Sequence, residues 1–175
     1  MNNYYKTALI GSAMMLALPC WATCFSANQA AITKPDKIYA VHGDGTVTDL
    51  QTGLMWSQCE VGKSGTDCET GTATGFTSWE DALQYALDSE LAGYNDWRMP
   101  NIKELNSLTE SSCTNPAINS GIFKAASSSY LWSASVRQDT AGYYVWVVNG
   151  DTGHVQAAYK NPSNGIHLRL VRSSP

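Results

Sequence analysis

Apolar residues recur in two rhythms along this chain, a helical one in its first half and a strand-like one in its second. Trp79, Ala82, Leu83, Ala86, Leu87 and Leu91 return at intervals of three and four, which places them on one face of a helix. Ser78 precedes that run as a helix-starting side chain, and the helix is predicted to stop near Ala92-Gly93, where glycine takes the left-handed conformation that ends helices. A second helix is predicted after Pro100, with Asn101 as its cap and Glu104 closing a reciprocal capping pair, so that Ile102, Leu105 and Leu108 face the core. Thr46 to Trp56 reads as a hairpin turning at Asp49 and Gly53. From Tyr130 onward four stretches alternate as strands: Tyr130 to Ser135, Tyr143 to Val148, His154 to Tyr159 and His167 to Arg172. Asn149-Gly-Asp-Thr-Gly153 is a hairpin turn joining the middle pair. Two helices followed by a strand-rich half predict an α+β fold.

The first residues carry a different pattern. Lys6 precedes an apolar run from Thr7 to Leu18, followed by Pro19-Cys20-Trp21-Ala22, which suits signal peptidase cleavage after Ala22. The run is too short to cross the ~30 Å hydrocarbon core without its flanks. A lipid-anchored form through Cys20 or Cys24 lacks the usual approach sequence, and no later segment is apolar enough to anchor the chain. The expectation is a secreted or periplasmic protein: a signal peptide over residues 1–22, an N-terminal arm over 23–40, and one domain over 41–173 with no membrane span.

Removing the leader leaves Cys24, Cys59, Cys68 and Cys113, an even number in a compartment where disulfides persist. Three pairings are possible. Cys59 and Cys68 bracket a Gly/Ser/Thr/Asp-rich stretch that lacks the apolar residues to order itself, so a local bridge is preferred, and Cys24 to Cys113 follows by elimination. A zinc site would need histidines near the thiols, and His42, His154 and His167 fall into no ligand spacing. Of the eleven Lys and Arg only Lys6 lies in the leader, so ten remain against fifteen Asp and Glu, a net charge of −5. That balance offers no basic stripe for nucleic acid.

The run Thr48 to Trp56, the Cys59 to Cys68 loop, the Trp79 helix, Asp96-Trp-Arg-Met-Pro-Asn-Ile-Lys-Glu-Leu105, Asn115 to Asn119, Leu131 to Ser135 and Leu168 to Arg172 together resemble the Lcl C-terminal domain family over Val41 to Arg172. That family is named for the C-terminal domain of a Legionella collagen-like adhesin. The resemblance implies a disulfide-tied, C-type-lectin-like α+β domain: a twisted antiparallel sheet with its terminal strands together and two flanking helices. The namesake's domain binds sulfated polysaccharides. This chain is acidic and has no collagen-like stalk. The Glu-Pro-Asn, Gln-Pro-Asp and Trp-Asn-Asp motifs of calcium-dependent sugar-binding relatives are absent, as is the C-terminal cysteine pair of formylglycine-generating relatives, so neither a calcium site nor a thiol enzyme is carried over.

No catalytic residue, metal ligand or cofactor is therefore assigned. Glu80, Asp81, Asp96 and Glu104 read as helix caps or solvated faces, and Arg98 as structural glue to Asp96 or Glu104. Trp56, Trp97, Trp132 and Trp146 suit either core packing or sugar stacking, with core packing preferred inside signature motifs. The candidate ligand-binding residues lie elsewhere: Tyr143, Tyr144 and Tyr159, together with Asn149, Asp151 and His154 in the hairpin turn. The expected function is a non-catalytic, adhesin-like module for a glycan or cell-surface partner, possessing the option of homo-oligomers; the alternatives are a structural part of an envelope or fimbria-like assembly and, less favoured, an enzyme.

Overall fold

The computed structural model describes residues 23–24, 31–127, 129–138 and 142–175; the expected signal peptide lies outside them. In chain order the strands are β1 (Thr23–Cys24), β2 (Tyr39–Val41), β3 (Thr46–Asp49), β4 (Leu54–Ser57), β5 (Lys63–Ser64), β6 (Thr70–Gly71), β7 (Cys113–Thr114), β8 (Tyr130–Val136), β9 (Tyr144–Asn149), β10 (Val155–Tyr159) and β11 (Val171–Ser173). Helix α1 spans Trp79–Leu87 and α2 Ile102–Ser107. The fold is α+β, with a four-stranded sheet ordered β11-β4-β3-β2, a three-stranded sheet ordered β10-β9-β8, and two small ribbons, β1-β7 and β5-β6.

The predicted first hairpin forms in register, Thr46 opposite Ser57 and Asp49 opposite Leu54. Asp49 makes its turn by accepting the Gln51 amide at 2.8 Å, and Gly53 adopts φ +67 as the turn requires. The expected arm joins this sheet: Tyr39–Val41 pairs with β3, and Ile38 and Tyr39 are buried against Phe123 and Val171 in the core. Both disulfides have the expected pairing, Cys24–Cys113 and Cys59–Cys68.

Helix α1 starts as predicted, with Ser78 Oγ accepting the Asp81 amide at 3.1 Å, but ends at Leu87 rather than near Ala92. Leu87 is 62 % exposed, so the apolar face stops before the predicted last turn. Leu91 re-enters through a separate 3-10 turn in which Ala92 itself takes φ 54. Helix α2 carries the full capping box: Asn101 Oδ1 accepts the Lys103 and Glu104 amides, and Glu104 accepts the Asn101 amide.

The predicted strand His167 to Arg172 is shorter, Val171–Ser173, for a topological reason. His167 bonds to Tyr130 and Trp132 of β8, the Leu168 and Leu170 carbonyls accept from Val61 and Ser57, and Val171 pairs with both Arg98 and Trp56. The segment changes neighbours residue by residue and forms the seam between the two sheets. Leu168, Arg169, Leu170 and Val171 are all buried, which explains the missing alternation.

Candidate functional site

The six residues singled out from sequence lie on the β9–β10 hairpin but at its two ends. Directly opposed residues of an antiparallel pair share a face, so Tyr144 and Tyr159 stand together, as do Trp146 and Ala157. The Tyr144 and Tyr159 rings are 4.4 Å apart between centroids and tilted by 34°. The Arg137 guanidinium lies 5.4 Å over the Tyr144 ring. Tyr143 is 64 % and Tyr159 57 % exposed. Helix α2 covers the same face only at its other end, where Val148 packs with Leu105 and Leu108, so the tyrosine end and half-buried Trp146 reach the surface.

Asn149, Asp151 and His154 sit about 17 Å away, five strand residues at ~3.4 Å each. Their turn is built into the structure. Asn149 Oδ1 accepts the Asp151 and Thr152 amides at 2.9 and 3.1 Å, the Asp151 carbonyl accepts the Asn115 amide, and the Gly150 carbonyl accepts the Ala117 amide. Gly153 is buried against Thr109 and Ala117. Only His154 of the three is exposed, and its ring has no hydrogen bond among the described residues. The structure thus joins Tyr144 and Tyr159 into one aromatic pair, leaves Tyr143 exposed beside Tyr144 in sequence without a ring contact among the described residues, and makes Asn149 and Asp151 turn supports.

Trp56, Trp97 and Trp132 are fully buried, and Arg98 grips Glu104 through two bonds of 2.7 Å. Asp96 is taken by Arg172 at 2.6 and 3.1 Å, and that guanidinium lies 4.0 Å over the Tyr94 ring. Asp96 and Glu104 are thus held in arginine pairs, whereas Glu80 and Asp81 lie exposed in the first turn of α1.

A constellation absent from the sequence reading surrounds Glu60. Its Oε2 accepts from His167 Nδ1 at 2.8 Å and from Ser127 Oγ at 2.8 Å, its Oε1 accepts the Ser127 amide at 2.9 Å, and the buried Arg169 guanidinium lies 3.8 Å away. Burial works to raise the Glu60 pKa, but His167, Arg169 and Ser127 outweigh it and hold the carboxyl at about 2. Serine, histidine and glutamate together suggest a nucleophile relay. The geometry refuses it, because hydroxyl and carboxylate both meet Nδ1, whereas a relay needs them on opposite ring nitrogens. This is a structural charge cluster tying the Cys59 loop to the seam. Its one sequence signal was Arg169, a charge set between Leu168 and Leu170 in an apolar run.

The sequence reading also missed a cleft of about 750 Å³ between the Gly43–Gly45 turn, the Cys59–Cys68 loop and the end of α1. Val41, Val61, Leu91 and Leu170 give it apolar walls, Tyr85 stands at its side, and Asp44, Asp88 and Glu90 are acidic lining residues. Thr46 donates to Asp44 through Oγ and backbone at 2.6 and 3.0 Å, and the hydroxyl chiefly keeps that carboxyl below its ordinary pKa. Among the described residues no group of three or more His, Cys, Asp or Glu is arranged to hold a metal ion.

Against known protein families, the model of the Lcl C-terminal domain matches residues 45–172. The chain belongs to this family. A comparison with curated proteins found no match. In this Lcl C-terminal domain the family's matched span starts at Gly45, immediately before the first hairpin, and ends at Arg172, on the strand that closes the four-stranded sheet. Its two disulfides fit an extracellular protein, and among the described residues no helix is long and apolar enough to cross a membrane.

Proposed function

We propose that this Lcl C-terminal domain is a secreted or periplasmic, non-catalytic binding module that recognises a glycan or glycan-bearing cell surface through the Tyr144 and Tyr159 ridge, with exposed Tyr143 next to it in the chain. The stacked pair of Tyr144 and Tyr159 on a hairpin face that α2 leaves uncovered carries this reading. Exposed rings mounted on a sheet present flat apolar faces to sugar CH groups at low entropic cost, with phenol hydroxyls for hydrogen bonds. Arg137 adds a cation at the ridge without making the domain basic. The containment of Asp96, Glu104 and Glu60 in ion pairs supports binding over acid–base catalysis.

A glycan array, run with and without calcium, tests it. Binding that is lost in Tyr144→Ala and Tyr159→Ala while the fold is retained is the expected result. A second reading, a structural part of an envelope or fimbria-like assembly, has support from β10, an edge strand with Val155 and Gln156 exposed. If no glycan binds and the same tyrosine variants disrupt self-association, the assembly reading replaces the lectin-like one.

A further inference from the structure

The cleft beside the Cys59–Cys68 loop lies on other elements than the tyrosine ridge, and its chemistry is different. Four acidic side chains, Asp44, Glu60, Asp88 and Glu90, line it against one lysine, Lys63. Glu60 is already matched by Arg169 and His167, and Lys63 Nζ donates to the Ala125 carbonyl at 2.7 Å. Asp44, Asp88 and Glu90 form no salt bridge among the described residues, His42 acting on Asp44 only at longer range. The surplus is negative and lies around apolar walls, two of whose residues, Val41 and Tyr85, are 48 % and 46 % exposed.

From this complementarity we infer that the cleft is a docking site for a lysine- or arginine-bearing peptide segment of a protein partner. Such side chains combine a hydrocarbon stem with a cationic head, so the stem lies along Val41, Leu91 and Tyr85 while the head meets Asp44, Asp88 or Glu90. The volume of about 750 Å³ exceeds what one side chain fills and falls within the roughly 300–1,000 Å³ range of ligand clefts. Acidic groups on two separate walls, Asp44 on the hairpin side and Asp88 and Glu90 at the end of α1, suit a segment with more than one cation. Gly43, among the lining residues, presents no side chain and has open space where one would stand, which lets a partner's backbone come close.

The test uses the full, oxidised chain and two fluorescein-labelled probes, Gly-Leu-Lys-Leu-Lys-Gly and Gly-Leu-Glu-Leu-Glu-Gly, followed by anisotropy. The lysine probe is expected to bind, to weaken steeply between about 50 and 500 mM salt as surface charge is screened, and to exceed the glutamate probe by at least ten-fold. Asp88→Asn combined with Glu90→Gln should weaken it about ten-fold, with an unchanged circular dichroism spectrum. Tyr159→Ala should leave it unchanged, which separates this site from the tyrosine ridge. Glu90→Lys, at an exposed position, serves as a second variant should the double one misfold. Equal binding of the two probes, no binding of the lysine probe, or undiminished binding by both charge variants would overturn the inference.

Discussion

Glu60 and His167, 107 residues apart in sequence, meet at 2.8 Å through carboxylate and ring Nδ1. The contact joins the disulfide loop to the seam between the sheets, and it sets an acid limit on the fold. The folded-state pKa of Glu60 is about 2, below the ordinary 4.5, so its stabilisation is complete above pH 4.5 and is lost as pH falls toward 2. A shift of that size corresponds to about 3 kcal/mol. Urea midpoints measured at pH 7, 4.5 and 2.5 should be similar at the first two and drop sharply at the third. Glu110, also held at about 2 against the effect of burial by Ser112, Lys34 and Thr33, adds to the loss in the same window.

Glu60→Gln should cost about 3 to 5 kcal/mol at pH 7, because it leaves the Arg169 guanidinium buried without its counter-charge. The same variant should flatten the acid limb between pH 4.5 and 2.5. A wild-type acid profile in Glu60→Gln would mean that Glu110 alone sets the limit.

Glu104 has two tasks, closing the α2 capping box and pairing with Arg98. Glu104→Ala is expected to lower stability by about 1 to 2 kcal/mol in thermal unfolding. Arg98→Ala should lose less than 1 kcal/mol, since that guanidinium is 40 % exposed and the cap survives. Equal effects would show that the cap contributes nothing separable.

Gly153 adopts φ +71, and an added Cβ would collide with the Thr109 side chain and Ala117. Gly153→Ala therefore combines a strained backbone with overpacking and should cost about 2 to 4 kcal/mol. Gly43→Ala, also at positive φ but with no described heavy atom within 4 Å of the added Cβ, should cost about 1 kcal/mol. Chemical denaturation of the two variants side by side separates the steric part from the conformational part.

Loop length ranks the disulfides. Cys24–Cys113 spans 89 residues and Cys59–Cys68 nine, for which chain-entropy reasoning assigns about 4.6 and 2.6 kcal/mol. Replacing each pair with serine should reproduce that order in the urea midpoint. Glu110 also fastens the arm, accepting from Thr33 and Lys34, so the arm's own contacts are expected to survive loss of the longer bridge.

Features written in short stretches of sequence were legible. The Asn101–Glu104 box, the Ser78 cap, the first hairpin and the Asn149–Gly153 turn each depend on residues within a few positions of one another. Trp56, Trp97 and Trp132 were legible as core because they sit inside the signature motifs, whereas Trp146, weighed alongside them, is only half-buried. The end of α1 was misplaced because Leu87 and Leu91 fit the helical rhythm, although Leu87 faces solvent. Long-range relations were not legible. Nothing near Glu60 announces His167 or Ser127, and the cleft assembles three segments whose spacing exists only after folding. Of the candidate ligand residues, Tyr144 and Tyr159 gained a shared geometry and Asn149 was found supporting its own turn.

The order β11-β4-β3-β2 places the chain's last strand beside a strand that precedes it by more than a hundred residues, Val171 opposite Trp56. Until Val171–Ser173 arrives, β4 has an open edge and the two sheets lack their seam. A chain emerging from its N-terminus therefore gains little from partial folding, since contacts of such separation carry a large loop-closure cost before they return any stability. Completion of the four-stranded sheet therefore waits for Val171–Ser173, while the local hairpins do not depend on it.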